Sequence, residues 1–349
     1  MTAAGVALVT GAAGQDGAWL CRQLLDAGWQ VWAAVHTSVP PVPWRWRELS
    51  IAGHPQLQVA PLCIEDAEAC HDVVARSGAS RIFHLAAISS VAQATADPVR
   101  AVQVNGMGTV HLLDAVRRVG GDAAVVVASS AEVHPGALTD ERTPAVAAHP
   151  YALSKLIAEE AVRCYRNRFG LRASIAILFN HESELRGDSF VTRKIAAAAA
   201  RAGAGSGETL SLGNLDATRD FGYAPDYMAA LRALADLPAP EDLVIATGEV
   251  TAIRQFTTMA YAAAGIELRW EGQGAGERAI DTAGAVRIRV DPSFLRASDA
   301  PLQRGDATRA RQRLGLRHSR DVFGIAQVMV AAEQRRLGLA SLAVDTGTC

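Results

Sequence analysis

The chain has 349 residues, half of them hydrophobic, with 34 Lys+Arg against 36 Asp+Glu for a formal net charge of −2. That length allows one two-lobed unit or two domains, the apolar content excludes wholesale disorder, and the charge balance excludes a bulk basic field for nucleic acid. The five cysteines form no C-x-x-C motif and no paired Cys/His ligand spacing, so reduced thiols are expected, with no metal site and no disulfide.

Val6–Thr10 reads as a short apolar strand. It is too short and lacks the basic lead of a secretory signal, and no apolar run reaches membrane-spanning length. A soluble cytoplasmic protein with neither nucleic acid nor membrane as partner is expected. After the strand come Gly11-Ala-Ala-Gly14-Gln15-Asp16-Gly17 and a helical pattern over Trp19–Leu25. Strand, glycine turn and helix form the context of a dinucleotide fingerprint: the glycines admit a pyrophosphate to the backbone, and the helix start offers it N–H groups. Gln30–Val35 reads as the second strand. An acid after it would hold a ribose hydroxyl and an arginine a 2′-phosphate. The chain offers His36-Thr37-Ser38, with Arg45 and Arg47 further on, and the choice stays open.

A helix over Ala67–Ala75 and a strand over Arg81–His84 lead to Leu85-Ala86-Ala87-Ile88-Ser89-Ser90, whose small residues let a loop pass close beneath a cofactor. The amphipathic stretch Pro98–Arg118 and a helix over Tyr151–Arg168 offer two apolar faces. These suffice for a two-fold four-helix contact between subunits, with burial inside one subunit as the other reading. Val125–Val127 reads as a buried strand that places Ser129 and Ser130 at its carboxyl end, where open α/β sheets meet their ligands.

Tyr151-x-x-x-Lys155 puts a phenol and an ammonium on one helix face. The ammonium favours phenolate over phenol, making the tyrosine a usable base. Ser130, Glu132, Tyr151 and Lys155 form the candidate acid/base set. The strand Ala173–Leu178 ends the β/α alternation, and Ala196–Ala204 is a good helix former. The predicted fold is α/β: a Rossmann-type doubly wound parallel sheet over residues 1–178, then a smaller mixed α/β substrate lobe mainly over 179–337. Segments of that lobe return to the sheet, and 338–349 form a tail.

Thr10-Gly11-x-x-Gly14-x-x-Gly17, Leu85-Ala86-Ala87 and Tyr151-x-x-x-Lys155 together resemble the extended short-chain dehydrogenase/reductases. Less common strings narrow the resemblance to the GDP-mannose 4,6-dehydratase family. They include Gly14-Gln15-Asp16-Gly17, Leu178-Phe179-Asn180-His181-Glu182-Ser183, Phe190-Val191-Thr192-Arg193-Lys194-Ile195 and Leu212-Gly213-Asn214-Leu215-Asp216-Ala217-x-Arg219-Asp220. Val290-Asp291-Pro292-x-Phe294-x-Arg296 follows in the same order.

The resemblance implies NADP, with NAD as the alternative, and a nucleotide-diphosphate sugar, GDP-linked, as substrate. It implies oxidation at C4, water loss across C5 and C6 with Glu132 as base and acid, and hydride return to C6. Ser130, where the family usually has Thr, would bond the C4 oxygen, and Lys155 would hold the nicotinamide ribose. On the cofactor side the resemblance implies Gly11, Gly14, Gln15, Asp16, Gly17, His36, Leu85, Ala86, Ala87, Tyr151, Lys155, His181 and Arg186. On the substrate side it implies Ser89, Asn180, Val191, Lys194, Leu212, Asn214, Arg219, Arg254, Arg296 and Asp299. A homodimer or homotetramer is implied as well.

His36 and Thr37 replace the family's paired arginines, and His134 stands in a departed loop, where it could line the sugar pocket or be a plain loop residue. Such departures favour a modified GDP-sugar as readily as the standard one. A nucleotide-sugar 4-epimerase or 4-reductase would need Tyr151 and Lys155 but no C5 base. A non-catalytic cofactor-binding protein would not be expected to keep all of these groups.

Overall fold

In the computed structural model, which describes residues 4–294 and 302–339, the apolar runs of the first half pair into one seven-stranded sheet. The strands are β1 (Val6–Thr10), β2 (Gln30–Val35), β3 (Leu57–Pro61), β4 (Arg81–His84), β5 (Ala124–Ser130), β6 (Ala173–Leu178) and β7 (Asp242–Ile245). Their order is β7-β6-β5-β4-β1-β2-β3, and every pairing is parallel. Strand order therefore reverses between β1 and β4, which opens a crevice at the carboxyl ends of those strands. β5 and β6 are buried along almost their whole length, as strands covered on both faces must be, and they read as continuous Val, Ile and Ala.

The helices that cover the sheet start and stop where their end residues dictate. α1 (Gln15–Asp26) begins directly after the glycine turn. α2 (Ala67–Ser77) begins at Asp66, whose carboxylate accepts the Glu68 and Ala69 N–H groups, and ends at Gly78 in the left-handed conformation. α3 (Gly108–Val119) precedes β5, and α4 (Pro150–Phe169) follows it. α4 has Pro150 in its first turn, where no N–H is needed, and stops at Gly170 (φ +71°). α5 (Ala224–Ala235) returns to the same unit.

The amphipathic stretch Pro98–Arg118 is not one regular helix. A π-helical turn, Val102–Met107, interrupts it. The cause is Asn105, buried and drawn inward: its Oδ1 accepts the Ile88 N–H at 2.8 Å, and its Nδ2 donates to Ile88 O and to Ser154 Oγ. Gly106 lets α4 come close, since a Cβ there would lie 2.9 Å from Ile157 Cγ2.

The chain divides into two compact units: Met1–His181, Ala224–Gly248 and Gln303–His318 form the first, and Glu182–Tyr223, Glu249–Leu302 and Ser319–Cys349 the second. In the second, helices Val191–Gly203, Ile253–Ala263 and Val322–Arg336 share a core with Phe221, Phe256, Tyr261 and Met329. Each such large buried side chain contributes about 1.5–3 kcal/mol. A four-stranded sheet supplies further core residues: Leu268–Glu271, Arg278–Asp281 and Val286–Val290 pair antiparallel, and Leu210–Leu212 adds parallel to the last. Among the described residues no helix is long and apolar enough to cross a membrane. Arg296, Asp299 and the tail from residue 340 lie outside the described residues.

Candidate active site

The glycine turn is a cradle that side chains would fill. Gly11 has φ +69°, and a Cβ on it would stand 2.7 Å from the Ala86 nitrogen. A Cβ on Gly17 would meet Gly11 O at 2.3 Å. Both obstacles are backbone and cannot swing away. Gly14 caps α1 with no side-chain bond, so no capping side chain occupies the first N–H groups of the helix. These residues fit a dinucleotide pyrophosphate. Gly17→Ala is expected to weaken NADP binding at least about tenfold, measured by titrating intrinsic tryptophan fluorescence; unchanged affinity would refute the cradle.

A buried chain of hydrogen bonds ties this turn to the neighbouring loop. Thr10 Oγ1 accepts the Leu85 and Ala86 N–H groups, both at 3.2 Å, and donates to His84 Nδ1 at 2.8 Å. His84 Nε2 then donates to Thr109 Oγ1, whose hydroxyl donates to Asn105 O. Burial, aided by the charge of Lys155, lowers the His84 pKa to about 3, so the ring is neutral and its tautomer fixed by its partners. Trp46 Nε1 and Arg45 donate to Ala12 O and Ala13 O, bracing the turn from the other side. His36 is exposed at the end of β2, bonded to Ser38. It stands within 4.8 Å of the ligand atoms of Cys63 and Glu65, and Glu65 pairs with Arg100.

The carboxyl end of β5 and the amino end of α4 carry the acid/base set. Ser130 Oγ accepts the Glu132 N–H at 3.3 Å, starting the short 3-10 turn Ala131–Val133. Tyr151 and Lys155 are both buried, one turn apart on α4. Tyr151 packs on Ala94 and Ala101 beside Ile88 and Val91. Lys155 Nζ donates to Ala128 O on β5 at 2.8 Å. Burial lowers its pKa to about 8, against the opposing charges of Glu159 and Asp16. Glu132 is partly exposed, and its Oε2 lies 3.1 Å from Nε2 of His149, the N-cap of α4. The carboxylate thus sits at the same end of α4 as the Tyr151 phenol.

Behind this row lies a buried cluster. Glu159 accepts from Ser129 Oγ at 2.5 Å, from His134 Nε2 at 3.1 Å and from Arg163 at 2.8 Å. His134 Nδ1 bonds Thr143 O, so His134 points into the protein and anchors the loop after Glu132. It is more than the plain loop residue of the second reading, because both ring nitrogens are bonded inside the fold.

Just past β6, His181 Nε2 lies 3.0 Å from Asp16, and Gln15 Nε2 donates to His181 O. Gln15, Asp16 and His181 therefore hold one another at the start of α1. Ser89 is exposed on the loop after β4, and Asn180 is half-buried. In the second unit Arg186 pairs with buried Glu182 at 3.0 Å and lies over the Phe190 ring at 3.7 Å. Val191 and Lys194 are exposed on one helix, and Leu212 is buried. Asn214 accepts the Asp216 N–H, and Arg219 donates to Thr218 O. Arg254 pairs with Asp216 and Glu277 and faces the Trp270 ring.

Sequence reasoning did not single out Asn105, His149 or Glu159. Two signals were present: a histidine before Pro-Tyr at a helix start, and a Glu four residues beyond Lys155 on the same face. Asn105 gives none, because its effect arises only in tertiary contact.

A family model described as GDP-mannose 4,6 dehydratase matches residues 8–329. GDP-mannose 4,6-dehydratase of Sinorhizobium fredii (strain HH103) is 38% identical over 95% of this chain and 97% of its own. The Homo sapiens GDP-mannose 4,6 dehydratase is 36% identical over 88% of this chain and 86% of its own. Among solved structures, RMD from Pseudomonas aeruginosa complexed with NADPH shares the fold, with a TM-score of 0.76 and 22% identity, covering 95% of this chain and 100% of that one. With its glycine cradle, its Tyr151/Lys155 helix and Glu132 all present, the chain belongs to the GDP-mannose 4,6-dehydratase family.

Proposed function

We propose that the protein is a nucleotide-sugar 4,6-dehydratase that converts a GDP-mannose-like substrate to its 4-keto-6-deoxy sugar. The observation that carries this reading is Glu132, held at the carboxyl end of β5 beside the amino end of the helix bearing Tyr151 and Lys155. The identity to dehydratases of bacterial and human origin supports it.

When bound, NADP, with NAD as the alternative, would supply the hydride acceptor for C4 oxidation and the hydride donor for C6. Gly11, Gly14 and Gly17 would hold its pyrophosphate, and Lys155 its nicotinamide ribose. Arg45, whose guanidinium reaches Ala13 O, offers a 2′-phosphate a charged partner, and His36 at the end of β2 a hydrogen-bonding one. The relative solved with NADPH is in keeping with this choice. Tyr151 takes the C4 hydroxyl proton while Ser130 bonds the C4 oxygen. The 4-keto group then acidifies C5–H. Glu132 removes that proton and gives it to the departing C6 hydroxyl, which leaves as water. On the substrate side Lys194 and Arg219 are assigned to the diphosphate, with Arg254, Arg296, Asn180, Asn214, Asp299, Ser89, Val191 and Leu212 around the nucleotide and sugar. Arg186 and His181 complete the cofactor side.

The test is incubation with GDP-mannose and mass spectrometry of the product. The expected result is loss of one water with no net change in cofactor; steady release of reduced cofactor would overturn the reading. The enzyme is assigned to the cytoplasm as a homodimer or homotetramer. Exposed Val99 and Leu153 border an open apolar groove, lined also by Pro98, Val102, His149 and Pro150, which supports a helix-to-helix contact between copies. Sedimentation at the monomer mass would refute that assembly.

A further inference from the structure

Glu132 is not a solitary carboxylate. His149 Nε2 lies 3.1 Å from its Oε2, and the other ring nitrogen is already engaged: Nδ1 accepts the Ala152 backbone N–H at 3.2 Å. A nitrogen that accepts carries no proton, so in the neutral ring the proton sits on Nε2. His149 therefore donates to Glu132, and the helix cap selects the tautomer that does so. The backbone is fixed as well, because a residue before proline is confined to extended conformations, and His149 has φ −156° and ψ 167°. Its ring lies within 7° of parallel to that of Tyr151, with centroids 6.3 Å apart. The histidine thus bonds the carboxylate while its ring runs alongside that of Tyr151.

We propose that His149 is the positioning residue for the C5 base, holding Oε2 of Glu132 so that Oε1 faces the sugar. This rests on the reading of Glu132 as that base. In the elimination the C5–H bond breaks and an O–H bond forms on Oε1. The C5–H electrons become the C5–C6 π bond, the C6–O bond breaks, and the same proton passes from Oε1 to the leaving oxygen as water departs. A hydrogen bond to an ionised acceptor is roughly twice as strong as one to a neutral acceptor. The His149 bond therefore weakens when Oε1 is protonated, which favours passing the proton on to the leaving hydroxyl.

The test compares His149→Asn, His149→Gln and Glu132→Gln holoenzymes on GDP-mannose, unlabelled and deuterated at C5. Asparagine keeps a good N-cap but is too short to reach Glu132, so folding is preserved while the donor is lost. For His149→Asn we expect kcat to fall about 10- to 100-fold with KM within about twofold, as for an interaction felt mainly in the transition state. A C5 deuterium isotope effect should emerge, and reduced cofactor should build up in its near-ultraviolet absorbance because C4 oxidation outruns elimination. His149→Gln, which restores a donor near the Nε2 position, should recover part of the rate. Wild-type turnover in His149→Asn, or lost turnover without a C5 isotope effect, would overturn the positioning role. Turnover retained by Glu132→Gln would instead show that the base lies elsewhere, and the dehydratase reading on which the proposal rests would fall with it. An inert Glu132→Gln beside an unimpaired His149→Asn would remove the positioning role alone.

Discussion

Glu132→Gln is expected to lower dehydratase turnover by about two to four orders of magnitude, the usual worth of a positioned general acid/base. The amide keeps the shape of the side chain, and its carbonyl oxygen can still accept from His149. What it loses is the capacity to take and return a proton. C4 oxidation depends on Tyr151 and Lys155, so the variant should still exchange hydride with its cofactor once per active site and then stall. Rapid mixing with GDP-mannose should show a single burst of reduced cofactor and no keto-deoxy product. Full turnover in this variant would place the proton acceptor elsewhere. A variant with no burst at all would assign Glu132 to binding.

The second large effect concerns stability. Glu159 is buried and accepts from Ser129, His134 and Arg163. Truncating it leaves the buried Ser129 hydroxyl and His134 ring without their acceptor, while Arg163 keeps Glu160 and Asp242, and breaking such a buried pair costs about 3–5 kcal/mol. Glu159→Ala should therefore show a marked fall in its thermal midpoint even though alanine suits a helix.

The pH dependence follows from the two partners. For His134, burial opposes the imidazolium, but the bond and charge of Glu159 outweigh it and raise its pKa. A raised folded value contributes stability that is complete below the unfolded histidine range and is lost as pH rises through the folded value. For Glu159, burial opposes the carboxylate, but His134, Ser129 and Arg163 outweigh it and lower its pKa. That contribution is complete above the unfolded carboxylate range and is lost as pH falls through the folded value. The gap between wild type and Glu159→Ala should thus be widest between about pH 4.5 and 6.5. It should narrow as pH climbs. Denaturant titration from that range upward checks the sign, and a gap that widens above about pH 6.5 would refute the charged pair.

Much of the first unit was legible in the residues. The runs Val6–Thr10, Gln30–Val35, Arg81–His84 and Ala173–Leu178 are strands with those bounds. Hydrophobic runs bounded by glycines and polar turns leave little freedom in where a buried strand begins and ends. The helix predicted over Ala67–Ala75 runs on to Ser77, because the stop is set by Gly78 in the left-handed conformation rather than by the apolar pattern. The Pro98–Arg118 periodicity pointed to a helix but could not reveal its π turn, which comes from one buried amide bonding to Ile88 and Ser154 across the fold. At the site, Tyr151, Lys155 and Glu132 follow from spacing and residue type. His149 and Glu159 do not, since a histidine before proline and a Glu on a helix are by default solvated groups. Only the approach of β5 to α4 turns them inward.

The wide turn at Val102–Met107 also limits how the gene can drift in length. A π turn is, in effect, an α-helix carrying one added residue. Excising a single codon there would leave the flanking helical segments in phase and the protein outwardly intact. It would also withdraw Asn105 from Ile88 and Ser154, uncoupling the loop after β4 from α4 with no residue of either removed.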